Sequence, residues 1–290
     1  MQYDLVKVKM YAFNHTIKEV KNFGINRISL GVQSFSDEDL SVINRRHSAQ
    51  TAIQAVKCAQ KMGFDNISID LIYGLPNQTM EGWMQNLKEA VGLNVQHISA
   101  YSLTFEDGSM LTKMRDRDKI KEVDEEVSFE MFKVLRRFLS ENGFYPYEIS
   151  NFAKKGCESK HNSSYWNYVP YLGVGPSAHS FDGERRRWNV ANTRLYLSKM
   201  EDGESFYEEE KLDLPTQYNE FVMTSLRKSE GVDLDAVESR FGRVLADYFK
   251  ELIRPFEKDG HVICEEGRYR LSEDGIFISD FIIESLLCVE

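Results

Sequence analysis

Three short segments that read as strands, Arg27–Gln33, Asn66–Tyr73 and His97–Leu103, recur early in the chain with helix-patterned stretches between them. Strands separated by helices of about 10 to 15 residues build βαβ units, which restricts the fold to a mostly parallel sheet or barrel arc. Sheets of this kind collect ligands at the carboxyl ends of their strands. Gln33 and Asp70 stand at or near such ends, and Asp70 is the lone charged residue of its segment, so both are natural site candidates.

The connecting helices carry their own punctuation. Thr16–Phe23 suits a short helix stopped by Gly24, a residue that tolerates the left-handed cap. Ser36 with Asp39 three residues on resembles a capping box, and Ser48 opens a helix through Ile53, Val56, Ala59 and Met62 to Gly63. Thr79–Val91 is amphipathic. Before these units, residues 2–13 alternate loosely and predict a strand. After Asp107-Gly108 a charged connection leads to a long amphipathic helix over 124–142 and a predicted strand over Tyr145–Ile149. Residues 151–192, dense in Gly, Asn, Ser and aromatics, read as an ordered irregular loop, a form that is usually functional. From Pro215 three helices precede a hairpin turning at Glu266-Gly267 and a closing helix, the outline of a winged-helix-like domain.

Net charge of −10 argues against nucleic acid as a partner, since that affinity comes chiefly from cationic groups displacing counterions. The helix that would read DNA carries Asp247, Glu251 and Glu257, which favours a packing or lid role. Arg185-Arg186-Arg187 reads as a solvated loop. No apolar run reaches the roughly 20 residues that span a bilayer, and the start lacks a secretory pattern, so a cytoplasmic location is expected. The four cysteines, at 58, 157, 264 and 288, form no close pair and read as free thiols.

Gly31-Val-Gln-Ser-Phe35, Asp70-Leu-Ile-Tyr-Gly-Leu-Pro-Asn-Gln-Thr79 and Ile98-Ser-Ala-Tyr-Ser-Leu103 closely resemble the oxygen-independent coproporphyrinogen III oxidase family of radical S-adenosylmethionine (SAM) proteins. Tyr147-Glu-Ile-Ser-Asn-Phe-Ala153, His161-Asn-x-x-Tyr-Trp166, Tyr171-Leu-Gly-Val-Gly175 and Ala178-His-Ser-Phe181 point to its haem-chaperone branch. The resemblance implies an α/β fold: a partial parallel (β/α) radical-SAM-type barrel arc with an aromatic, Gly-rich loop region over 1–205, then a mostly helical winged-helix-like domain over 206–290. It implies SAM contacts at Gln33, Arg45 and Asp70, where an arginine fork suits a carboxylate, and pocket-lining positions at Thr104 and His179. Without the motif, Asp70 reads equally as a cap and Gln33 as a partner for backbone groups at the barrel rim. His161 and Trp166 are either interior aromatics or a haem-facing surface, since imidazole can ligate iron and flat rings can stack on a macrocycle.

The family's Cys-x3-Cys-x2-Cys cluster motif and the Gly-rich SAM segment after it are not in this sequence, and residues 8–13 lack an expected Glu. The chain therefore reads as a family member short of about 80 to 100 leading residues. Reductive SAM cleavage needs an iron with an open position on a [4Fe-4S] cluster, so inactivity in that reaction is expected. A shortened arc would expose a sheet edge, which predicts self-association there. The leading expectation is a haem-chaperone-type protein of porphyrin metabolism. Its alternatives are a non-catalytic haem- or tetrapyrrole-binding protein and a winged-helix module that binds a partner.

Overall fold

The computed structural model describes residues 13–289, and the chain divides into two compact units, 1–159 and 160–290. The strand expected over 2–13 lies outside the described residues, apart from Phe13. The domain boundary expected at 205/206 falls inside the second unit.

The first unit begins with α1 (Phe13–Asn22), β1 (Ile28–Gln33), α2 (Asp37–Val42), α3 (Ala49–Lys61), β2 (Ile67–Tyr73), α4 (Met80–Gly92) and β3 (His97–Ser102). It continues with α5 (Met110–Arg115), α6 (Glu125–Glu141), β4 (Tyr145–Pro146) and β5 (Asn151–Ala153). Ser48 caps α3 as expected and Thr79 caps α4, each accepting a backbone N–H three residues on. The sheet order is β1-β2-β3-β5-β4, with β1, β2 and β3 parallel and the last two strands antiparallel to their neighbours. This is the expected α/β arc, with β1 its outermost strand among the described residues.

Register explains why these strands are held so firmly. Leu30, Ile69, Ile98 and Phe152 lie side by side across four strands and are all buried, forming an apolar face beneath α3, α4 and α6. Trp83 of α4, fully buried, donates its indole N–H to the Met131 carbonyl of α6 at 3.0 Å. The predicted strand over 145–149 is broken instead. Glu148 accepts the Ser150 N–H at 2.9 Å, and this local bond turns the backbone away from the ladder.

The second unit runs α7 (Lys160–Trp166), β6 (His179–Phe181), β7 (Arg185–Asn189), α8 (Thr193–Glu201) and β8 (Tyr207–Lys211), then α9 (Leu214–Leu226), β9 (Val232–Asp233), α10 (Leu234–Phe241) and α11 (Arg243–Lys258). It closes with β10 (Val262–Glu265), β11 (Arg268–Leu271), α12 (Glu273–Phe277) and α13 (Ser279–Ser285). Helices α9 to α11 with the β10-β11-β9 wing enclose a core of Tyr218, Val222, Phe249, Ile253 and Ile282, matching the winged-helix-like outline. The hairpin turns at Glu266-Gly267, both with positive φ (51° and 79°), as a two-residue primed turn requires.

The arginine run is not a solvated loop. It forms β7, paired with the acidic strand β8, where Arg185 and Arg187 both reach Glu209 (2.9 and 2.8 Å) and Arg186 reaches Glu220 of α9 at 2.8 Å. Opposite charges facing across a ladder stabilise it only modestly when exposed, but here they fix which strand pairs with which. No helix among the described residues is long and apolar enough to cross a membrane.

Candidate functional site

The two faces of the first unit's sheet differ in chemistry. Flanking the apolar row are two rows of small or polar residues: Ser29, Ser68, His97 and Ala153 on one side, and Gly31, Asp70, Ser99 and Asn151 on the other. Polar groups withdrawn from water need partners, and these have them. Ser29 donates to Asp70 at 3.2 Å, Ser99 to Asn151 at 2.6 Å, and Asn151 to the carboxylate of Glu148. His97 is almost fully buried, with Nδ1 2.7 Å from the Ser68 hydroxyl and Nε2 2.8 Å from that of Tyr147. Burial, with the Arg27 guanidinium nearby, holds its pKa down to about 3, so the ring is neutral.

At the carboxyl end of this face the register of β1 against β2 slips between Gly31 and Gln33. Gln33 takes a left-handed φ of 71°, unfavourable for a residue with a side chain and found where the surroundings impose it. The consequence is positional: its amide folds back over Gly31. A Cβ at Gly31 would stand 3.1 Å from Gln33 Nε2 and 4.0 Å from Asp70 Oδ2, so the bare glycine floors a small cradle between these two side chains. Arg45, just past α2, donates from Nη2 to Gln33 Oε1 at 3.0 Å. Gln33, Arg45 and Asp70 are thus brought together. Thr104 is exposed two residues beyond β3.

A second network anchors the cradle's loops. Ser34 donates to Asp39 at 2.7 Å, Gln78 donates to the same carboxylate oxygen at 3.1 Å, and the Phe35 N–H reaches Asn86 at 2.5 Å. These bonds tie the β1–α2 loop to the β2–α4 turn and to α4. Asp39 is therefore not the acid of a capping box. Ser36 accepts its backbone N–H at 3.3 Å while its carboxylate turns inward. Sequence reasoning missed Ser34, Gln78 and Asn86, whose signal is only that polar residues interrupt otherwise apolar segments.

In the second unit His161 lies exposed on α7, Nε2 3.1 Å from the Tyr165 hydroxyl, and a chain of ring contacts runs on through Tyr171 and Phe181 to Tyr168. The Arg227 guanidinium lies over Trp166, 5.5 Å from its ring centroid. Tyr168 donates to Glu220 at 2.5 Å, and burial followed by this carboxylate raises its pKa. His179 has a different neighbour: it is exposed on β6 with the Trp188 ring 6.5 Å away, beside a cleft of about 360 Å³ that also touches Asn192, Leu195 and Glu208. The Tyr171–Gly175 segment packs tightly on β6, and a Cβ at Gly173 would meet the His179 carbonyl oxygen at 2.1 Å.

The Gln33, Arg45 and Asp70 cradle, with donors, an acceptor and a bare glycine floor, suits one part of a polar adenosyl ligand. Exposed imidazole and edge-on phenol rings are residue types that fit a haem macrocycle. An iron-sulfur cluster is different: among the described residues no group of three or more His, Cys, Asp or Glu side chains is placed to hold a metal.

Residues 6–90 match the radical SAM superfamily model and residues 212–278 the HemN C-terminal domain model. The heme chaperone HemW of Bacillus subtilis is 31% identical over 272 residues, covering 93% of this chain and 72% of that protein. Its counterpart from Lactococcus lactis is 31% identical over 274 residues, covering 94% and 72%. Among solved structures, the coproporphyrinogen III oxidase HemN from Escherichia coli, a radical SAM enzyme, is similar with a TM-score of 0.78 and 23% identity, over 97% of this chain and 69% of that one, a likeness of fold. Two-domain matching in order, joined to identity sustained along nearly the whole sequence, settles the relationship: this chain belongs to the coproporphyrinogen oxidase-like radical SAM family, in its heme chaperone HemW branch.

Proposed function

We propose that this chain handles haem in the manner of that branch, binding a tetrapyrrole on the aromatic segment of the second unit and an adenosyl ligand, SAM, on the first. The observation that carries the adenosyl part is the convergence of Gln33, Arg45 and Asp70 around Gly31. Arg45 supplies a fork for a carboxylate, Gln33 both donor and acceptor, and Asp70 an acceptor for hydroxyl or ammonium groups. SAM, bound with a [4Fe-4S] cluster, supplies radical chemistry in the family. This chain's residues offer a seat for the ligand and no thiolate set for the metal, so we infer that it holds SAM without cleaving it. Reconstitution with iron and sulfide that gave a stable cluster spectrum and SAM turnover would overturn that inference. Thr104, past the end of β3 on the same unit, belongs to this proposal as an outer contact. The setting is cytoplasmic, in keeping with four cysteines outside any disulfide, and β1, the outermost strand among the described residues, is where copies would associate.

For the tetrapyrrole, the supporting observation is an exposed His161 beside Tyr165, with Trp166 and His179 on the same unit. A non-catalytic haem-binding role needs this segment alone. Haem titration tests it: His161→Ala and His179→Ala should each diminish the Soret shift seen with the parent chain, whereas shifts unchanged in both variants would remove the assignment.

A further inference from the structure

The aromatic run of the second unit ends on a guanidinium that no acceptor claims. Arg240, exposed in the last turn of α10, lies over the rings of Tyr168, Phe221 and Phe241, its central carbon 5.2, 5.0 and 5.5 Å from their centroids. A guanidinium stacked on rings keeps its N–H donors, which point outward in its own plane. Among the described residues none of these donors is given to a carboxylate or a carbonyl. Arg186, Arg268 and Arg270 of the same unit do pair, with Glu220, Asp233 and Glu265. In a chain where 46 acidic residues outnumber 36 basic ones, an exposed fork that is held in place and left unmated calls for a reason.

Tyr168 joins this fork to the ring run. Its hydroxyl is fixed by Glu220, and its ring meets Phe181 nearly at right angles with centroids 4.9 Å apart. From Phe181 the rings step to Tyr171 at 6.2 Å, Tyr165 at 4.8 Å and the exposed His161 at 4.9 Å. Val169 and Leu172, which follow Tyr168 and Tyr171 in sequence, are exposed apolar side chains. Glu220 is engaged elsewhere, with one oxygen on the Tyr168 hydroxyl and the other on Arg186. The carboxyl end of a helix favours any cation, which accounts for a charge at this position but not for a fork stacked on three rings.

We propose that Arg240 is a carboxylate-binding residue of the tetrapyrrole site, receiving a propionate of a macrocycle bound on the His161–Tyr168 aromatic segment; this rests on the haem reading above. Haem joins a flat apolar body to carboxylates on one edge, so its seat needs rings beside a cation. Stacking fixes the guanidinium before the ligand arrives. A fork held in advance loses little freedom on taking up a carboxylate, and so adds affinity and sets which edge of the macrocycle faces α10.

Soret titration of the full chain, comparing ferric haem with its dimethyl ester in the same detergent, tests the assignment. Arg240→Gln should weaken haem binding about tenfold, equivalent to ~1.4 kcal/mol, and leave binding of the ester, whose carboxylates are masked, as in the parent. Arg240→Lys, which keeps the charge and loses the fork, should fall between Arg240→Gln and the parent for haem. A purely structural role would lower both ligands alike, because the ring packing it supports serves both. Parent-like haem binding by Arg240→Gln, or equal losses for haem and ester, would overturn this inference and leave the haem reading standing. A parent chain that binds neither ligand saturably would overturn both.

Discussion

His97 makes the stability of the first unit depend on pH in a way that can be isolated. Its folded pKa lies near 3, against 6.5 for the free side chain, because burial and then the charge of Arg27 oppose protonation. The unfolded chain takes up a proton near pH 6.5 that the folded chain refuses until about pH 3. The contribution is thus complete above 6.5 and is lost as pH falls through the window between those values. From pH 7 to pH 5 the folded state should lose about 2 kcal/mol from this group alone, at ~1.36 kcal/mol per pH unit below the unfolded pKa. Urea unfolding followed by the emission of Trp83, with Trp166 and Trp188 replaced by Phe, reads the unit directly. His97→Gln should be less stable at pH 7, because Ser68 or Tyr147 loses a partner, but it should shed about 2 kcal/mol less on going to pH 5. Carboxylates contribute equally to both proteins and cancel. If the parent and His97→Gln showed the same pH slope, the neutral buried imidazole would be refuted.

Two further expectations follow from packing. Asp39→Ala strands the donors of Ser34 and Gln78 in a buried site and should lower stability by about 2 to 4 kcal/mol, read as a shift in the urea midpoint at constant slope. Gly173→Ala pushes a methyl group into the His179 backbone, so it should alter the near-UV signal of the aromatic cluster and weaken the haem-dependent Soret shift, while Trp83-reported unfolding of the first unit stays put.

The parts of this fold that were legible in the sequence are those set by local rules. The short strand segments β1 to β3, the serine that opens α3, and the Glu266-Gly267 turn each depend on residues within a few positions of one another. Strands β6 to β8 were hidden because their pairing depends on Arg185 and Arg187 meeting Glu209, more than twenty positions away, and their exposed faces carry no apolar alternation. The break within 145–149 was hidden for another reason: Glu148 and Asn151 read as ordinary strand-end polar residues until their bonds are known. At the site, strand ends marked Gln33 and Asp70, but Arg45 came only through family resemblance. Nothing local signals that α2 ends where its successor can reach back to Gln33, nor that Gln33 adopts a left-handed backbone.

Whether the rim of β1 and β2 seats an adenosyl ligand is decided by equilibrium dialysis of radiolabelled SAM against the parent chain and Arg45→Ala. The parent should bind saturably at one site and the variant about tenfold or more weakly, the usual scale for a charge-assisted hydrogen bond of ~1.5 to 3 kcal/mol. Retention that never saturates, or that is the same with and without the Arg45 guanidinium, would contradict it.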